Sequence, residues 1–205
     1  MARRVDTPCY SPRFDEAAAF AIESFRHHVR KGNGIPYIAH LFHVTAIVAE
    51  YQGSEDQLIA ALLHDWLEDV EGARVEELRR RFGDYVADLV LALSDSTGEP
   101  KLPWRQRKET HLAHLRGCGP DVKLISVADK IHNISSIIRD YLSVGESLWA
   151  RFRGGRDGTL WYYRSVHAAL AAGWDHPLVD ALGEEVERLH QLAGMFPPVE
   201  DDPGT

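Results

Sequence analysis

Cysteine is scarce in this chain of 205 residues: Cys9 and Cys118 are the only two. They form neither a Cys-x2-Cys type metal spacing nor a disulfide framework. Two free thiols in a reducing cytoplasm are the expectation. Long apolar runs are also lacking. The longest is Leu58 to Leu63, far below the roughly 20 residues that span a bilayer, so no membrane partner is expected. Arg3 and Arg4 are followed by Asp6, Asp15 and Glu16, which interrupt what would be the apolar stretch of a signal peptide. Positive charge is in deficit: 23 Lys and Arg stand against 31 Asp and Glu, for a net charge of −8. An acidic chain of this kind is a poor ligand for the DNA or RNA backbone, although a local basic pocket for a phosphate remains compatible with it. What is present is ordinary globular material, 44% hydrophobic and 26% charged, enough to bury a core without cross-links.

No alternating strand pattern and no internal repeat stand out; the pattern predicts an all-α chain folded as a compact helical bundle. A first helix is expected over residues 15–31 with Asp15 as N-cap. Gly34-Ile35-Pro36 then breaks the chain, and a helix runs from about His40 to Gln52, with Gly53 just past its end. Ser54 and Gln57 form a capping box for a helix over 55–69. Helices follow over Val75 to Phe82 and from Gly83-Asp84 to Leu93, then a loop by composition over 95–103. A basic helix from Trp104 to Leu115 and a long helix from Asp121 to Leu142 come next. The glycine-rich stretch 143–159 is expected to be loop with at most one short helix, before helices over 160–172 and 178–194. The expected organisation is an N-terminal extension over 1–13, one domain over 14–195 and an acidic tail over 196–205.

Two helices carry polar residues where a core helix should have none. In His64-Asp65-Trp66-Leu67-Glu68-Asp69, an unbroken helix sets His64 and Glu68 roughly 40° apart, and Asp65 and Asp69 likewise, giving two adjacent stripes of ligand-capable groups. In the long helix, Asn133, Ser136, His132 and Asp140 fall within about 60° of Asp129, while Ile134, Ile137, Ile138 and Tyr141 face away. Val122 and Ile125 lie on the side of Asp129, which marks a covered stripe rather than a wet one. His40 alone is more readily structural than a ligand. Read with the others, it gives the order His…His-Asp…Asp.

That order, on helices, resembles the HD-domain metal-dependent phosphohydrolases. The segment Arg30-Lys31 to Pro36-Tyr37-Ile38-Ala39-His40 is similar to the Arg-Lys…Pro-Tyr-Ile-x-His opening of the RelA/SpoT alarmone hydrolases. Ala61-Leu62-Leu63-His64-Asp65 with Glu68-Asp69 resembles their A-L-L-H-D-x-x-E-D helix, and Arg81-Phe82-Gly83-Asp84-Tyr85-Val86 with Leu89-Val90 their F-G-x-x-V…L-V segment. Ala128-Asp129-Lys130-Ile131-His132-Asn133 resembles their A-D-K-x-x-N. The likeness spans about residues 20–142, and the length points to the free-standing small alarmone hydrolases.

The resemblance implies an HD-domain bundle, a nucleotide substrate, and removal of the 3′-diphosphate of (p)ppGpp-type alarmones. It implies His40, His64, Asp65 and Asp129 as ligands of a divalent cation. Two imidazoles and two carboxylates with room for water suit Mn2+ better than a closed zinc site. It also implies Glu68 as the proton handler with Asp69 helping to position water. Arg30 and Lys31 would lie along the base and its phosphates, and Asn133 and Ser136 would bind base or ribose. The basic run Trp104 to Lys108 is an ordinary solvated face before it is a polyphosphate site, and Trp161, Tyr162 and Tyr163 are expected to feed the core. The alternatives are another nucleotide, such as (p)ppApp or NADPH, or a non-catalytic nucleotide sensor. Nothing in the sequence speaks to oligomeric state.

Overall fold

The computed structural model describes residues 9–94 and 102–195. Residues 95–101 of the expected loop over 95–103, the acidic tail and residues 1–8 of the N-terminal extension lie outside them. The described residues are helical, with no strand among them and one isolated antiparallel bridge, Val29 to Pro36. None of their helices is long and apolar enough to cross a membrane. They gather into two compact units, the described residues within 1–99 with 118–129, and those within 100–117 with 130–205.

The first unit holds α1 (Pro12–Ser24), α2 (Ile38–Glu50), α3 (Glu55–Leu63), α4 (Trp66–Asp69), α5 (Val75–Phe82) and α6 (Asp84–Leu93). It also takes the first ten residues of a helix running Pro120–Val144, here α8. The apolar run that is too short for a membrane is the hub of this unit. Every residue from Gln57 to Leu63 is buried, and α3 packs against α1, α2 and α6. A helix apolar on all sides must be enclosed by others, and Leu58, Ile59, Leu62 and Leu63 each contribute about 1.5–3 kcal/mol by leaving water. The Ser54–Gln57 capping box forms as expected, with Gln57 N–H on Ser54 Oγ and Ser54 N–H on Gln57 Oε1.

Several boundaries in this unit differ from expectation. α1 starts earlier, because Pro12 fits the first helical position and Ser11 Oγ accepts the Arg13 N–H, so Ser11 rather than Asp15 is the N-cap. It stops at Ser24, seven residues before the expected 31. The chain then doubles back through Gly32 and Gly34, both at positive φ, with Arg30 N–H on Ile35 O and Tyr37 N–H on His28 O. At the end of α2 the left-handed residue is Gln52 (φ 61°), not Gly53. Gly53 donates to Val48 O, completing a Schellman turn. It must be glycine for space, since a Cβ there would stand 2.4 Å from Val48 Cγ1.

Asp121, in the first turn of α8, accepts from Gln57 Nε2 (2.9 Å) on α3 and Tyr85 Oη (2.5 Å) on α6. These bonds fix the start of α8, and with it Asp129 about two turns on. Val122, Ile125 and Asp129 are all buried, so the stripe read from the sequence is a covered one.

The second unit holds α7 (Trp104–Gly117), the rest of α8, a 3-10 turn (Gly145–Arg151), α9 (Gly155–Ala171) and α10 (Pro177–Met195). α9 packs against α7, α10 and the 3-10 turn, and it begins five residues before the expected 160. Two basic residues of α7 have local partners. Arg105 pairs with Glu109 (2.8 Å) and its guanidinium lies 3.2 Å from the centroid of the Trp161 ring, while Lys108 Nζ sits 4.5 Å over Tyr162. Tyr162 and Tyr163 are buried as core residues and Trp161 is half-buried.

Candidate metal centre

Three elements of the first unit bring two imidazoles and two carboxylates together. His40 is the third residue of α2, His64 and Asp65 follow the last residue of α3, and Asp129 comes from α8. Asp65 Oδ2 is 2.9 Å from His64 Nε2 and 3.5 Å from His40 Nε2. Asp129 Oδ1 is 3.3 Å from His40 Nε2 and 3.8 Å from His64 Nε2. One ligand atom each from His40, His64 and Asp65 lie within 4.8 Å of one another. Both histidines and Asp129 are buried.

The His64 ring has a fixed orientation and tautomer. Its Nδ1 lies 2.8 Å from Ala61 O. A carbonyl only accepts, so Nδ1 carries the hydrogen and Nε2 is turned toward the carboxylates. That Nε2 is fully buried and makes no hydrogen bond of good geometry. A buried ring nitrogen turned toward two carboxylates, without a well-aligned hydrogen bond to either, suits a centre that takes up a positive charge there. The mixed nitrogen and oxygen donors fit a borderline divalent ion. Without the ion, a proton fills the role. Burial alone would lower the pKa of His64, but Asp65 and Asp129 override it and hold the imidazole well above its usual range. Asp65 is affected in the opposite sense. Burial would raise it, and His64 and His40 keep it far below the usual carboxylate range.

The expected single helix over 55–69 is interrupted at this centre. α3 ends at Leu63, Asp65 adopts φ −95° and ψ 1°, and α4 resumes for Trp66–Asp69. The bridge-region backbone at Asp65 is a common device where a side chain must be aimed. Ala61 O, which an unbroken helix offers to the Asp65 N–H, receives the His64 imidazole instead. The two parallel stripes read from helical periodicity therefore do not persist past Asp65.

The segment is anchored from α1 and the turn after it. Trp66 Nε1 donates to Ser24 Oγ (3.0 Å), and His28 Nε2 donates to the Asp69 carbonyl (3.1 Å). Tyr37 Oη donates to Asp65 Oδ2 at 2.6 Å, with its ring stacked on Phe25 and edge-on to His40. Burial, reinforced by the Asp65 charge, pushes the Tyr37 phenol far above its ordinary pKa, so it stays a donor. Sequence reading quoted Tyr37 within its motif without giving it a part. Its place three residues before His40 was the available signal.

Glu68 and Asp69 are exposed on α4, their backbone N–H groups both bonded to Asp65 O (3.2 and 3.0 Å). The charge of Asp69 is felt at Tyr37. Arg30 and Lys31 lie in the doubled-back turn before α2, Arg30 half-buried and Lys31 exposed. Asn133 and Ser136 belong to the second-unit portion of α8. Asn133 is half-buried; Ser136 is buried, donating to His132 O (2.9 Å) and accepting from Arg139 (3.2 Å).

Comparison with known proteins gives a consistent pattern. The family model described as HD domain matches residues 17–160. The chain is 35% identical over 127 residues to the guanosine-3′,5′-bis(diphosphate) 3′-pyrophosphohydrolase MESH1 of Xenopus tropicalis, covering 60% of this chain and 69% of that one. It is 34% identical over 113 residues to the bifunctional (p)ppGpp synthase/hydrolase SpoT of Escherichia coli K12, covering 52% of this chain and 16% of that one. Among solved structures it is similar to a metazoan ortholog of SpoT described as hydrolysing ppGpp. The TM-score is 0.74 at 26% identity, over 92% of this chain and 99% of that one. It is also similar to lmo0812 of Listeria monocytogenes EGD-e, with a TM-score of 0.65 at 29% identity over 74% and 99% of the two chains.

Proposed function

Since this chain belongs to the HD-domain family, within its SpoT branch, we propose that it is a metal-dependent pyrophosphohydrolase that removes the 3′-diphosphate of (p)ppGpp-type nucleotides. The observation that carries the reading is the convergence of Asp65 and Asp129 on the buried Nε2 atoms of His40 and His64. These four side chains are the proposed ligands, and Mn2+ is the proposed ion. When bound, the cation supplies charge against the phosphoryl oxygens and acidity to a water.

The remaining chemistry falls to side chains. In hydrolysis the water oxygen bonds to the phosphorus on the ribose O3′, the P–O3′ bond breaks, and the departing oxygen takes a proton, giving GDP or GTP and pyrophosphate. A carboxylate beside the ligands can accept the proton of the attacking water and return it to O3′. We assign this to Glu68, with Asp69 positioning the water. Both stand outside the ligand set, and their exposure leaves them open to an incoming substrate. Arg30 and Lys31 offer positive charge to base and phosphates from the turn that leads into His40. Asn133, one helical turn along α8 from Asp129, and Ser136 are assigned to base or ribose. On this reading residues 14–195 act as one hydrolase domain on a small-molecule substrate in the cytoplasm.

The test is incubation of the purified chain with ppGpp and Mn2+, scoring pyrophosphate, beside a panel of (p)ppApp and NADPH. Pyrophosphate from ppGpp, lost on chelation, is the expected result. Turnover of another panel member with none of ppGpp refutes the substrate assignment. Full biological effect from a Glu68→Ala chain without turnover points to a sensor.

A further inference from the structure

We propose that Tyr37 is the positioning residue of the metal centre: its hydroxyl holds Asp65 so that the carboxylate presents Oδ2 to both imidazoles. This rests on the metal reading given above. Asp65 Oδ2 is the oxygen that Tyr37 bonds at 2.6 Å, and it is also the one that lies 2.9 Å from His64 Nε2 and 3.5 Å from His40 Nε2. A carboxylate oxygen has two lone pairs. With Tyr37 on one of them, the other is left for the space between the rings, and rotation about the Cβ–Cγ bond is stopped. A short charge-assisted bond of this kind is strong enough to do so.

The tyrosine is itself held from two sides. Its ring stacks on Phe25 at 5.3 Å with 13° between planes and meets the edge of His40 at 5.5 Å. It stands at the N-cap position of α2, yet its side chain makes no capping bond, so the hydroxyl is committed to Asp65. The backbone makes this support necessary. Asp65 sits in the break between α3 and α4 at φ −95°, outside a regular helical turn. Tyr37 and His40 share the entry to α2, so one turn of chain sets one ligand directly and another through the hydroxyl. Groups that hold a ligand in this way alter metal affinity by about ten- to a hundredfold when removed.

Tyr37→Phe deletes the hydroxyl and keeps the ring. Metal-free wild type and variant are titrated with Mn2+ by calorimetry and melted without metal. Ser54→Ala, which weakens the cap of α3 far from Asp65, is the control for general loosening. The expected result is a Kd for Mn2+ about ten to a hundred times higher in Tyr37→Phe, unchanged in Ser54→Ala, with kcat of Tyr37→Phe largely recovered at saturating Mn2+. Equal Mn2+ affinity in wild type and Tyr37→Phe, or equal losses in Tyr37→Phe and Ser54→Ala, overturns the proposal. Should Tyr37→Phe not fold, Phe25→Leu removes the stacked ring and keeps the hydroxyl. Weaker Mn2+ binding then supports the proposal and unchanged binding opposes it. A wild type that binds no Mn2+ sinks this proposal and the metal reading together. A wild type that binds Mn2+ and leaves ppGpp intact sinks only the substrate reading, and the affinity ratio still decides the part of Tyr37.

Discussion

Loading the centre with a divalent ion should expel a proton, and the structure says from where. In the metal-free chain, Asp65 and Asp129 overcome the effect of burial and raise His64 well above the ordinary imidazole range. Because Nδ1 is committed to Ala61 O, the titrating proton is the one on Nε2, where the ion would bind. Near neutrality, Mn2+ binding should therefore release about one proton per chain, and apparent affinity should rise about tenfold, or about 1.4 kcal/mol, per pH unit until His64 is deprotonated in the free chain. The folding stability of the metal-free chain runs the other way. A group whose pKa is raised by folding contributes fully below its unfolded value, near 6.5, and loses that contribution as pH climbs through its folded value. Alkaline conditions thus weaken the metal-free fold while they strengthen metal binding. Calorimetric titration at about pH 7 in two buffers of different ionisation enthalpy counts the proton directly. A count of zero, with affinity flat across about pH 6 to 8, would refute the assignment of His64 Nε2 as a ligand. Asp129→Asn removes one of the two carboxylates that raise His64, so it should shift the proton-release window to lower pH and weaken Mn2+ binding.

Glu68→Gln and Asp69→Asn should each cut pyrophosphate release from ppGpp, Glu68→Gln by about a hundred- to ten-thousandfold, with Mn2+ affinity retained; loss of Mn2+ binding in either variant would make it a ligand instead of a proton handler. In the second unit, a Cβ on Gly154 would stand 2.6 Å from Trp104 Cη2, whereas one on Gly158 would stand 3.2 Å away. Gly154→Ala should therefore cost about 1–3 kcal/mol through forced displacement of the indole, while Gly158→Ala, inside α9, should come out near neutral as about 1 kcal/mol of helix propensity offsets the tighter contact. Equal melting temperatures for the two variants would contradict the geometry. Glu55 Oε1 accepts both the hydroxyl (2.6 Å) and the backbone N–H (3.1 Å) of Ser11, which lower its pKa below 4.5. That stabilisation is present above the unfolded value and lost as pH falls through the folded one, so in an NMR titration Ser11→Ala should move the Glu55 midpoint back up.

What could be read from the sequence was whatever is decided within a few residues. The Ser54–Gln57 capping box, Val75–Phe82 and Asp84–Leu93 all formed where short-range rules put them, because caps and amphipathic spacing act over one or two turns. The candidate set His40, His64, Asp65, Asp129 was suggested on other grounds: ligand-type residues stood on stretches otherwise built for burial, where an unpaired charge is costly, and their order resembled that of the HD-domain family. Periodicity failed at Asp65, and it failed because the competing interactions come from elsewhere in the chain. His64 turns back to Ala61 O, and Tyr37, 28 residues upstream, claims the Asp65 carboxylate. A 3.6-residue repeat continues through that point as though nothing happened, so Asp69 was drawn on the stripe of Asp65 when α4 carries it out to solvent. The break in the helix falls where the candidate ligands meet: the Ala61 carbonyl takes the His64 ring, and regular helix resumes only after Asp65. A sequence pattern that places buried ligand candidates inside a helix is therefore a reason to doubt the continuity of that helix at the ligands themselves.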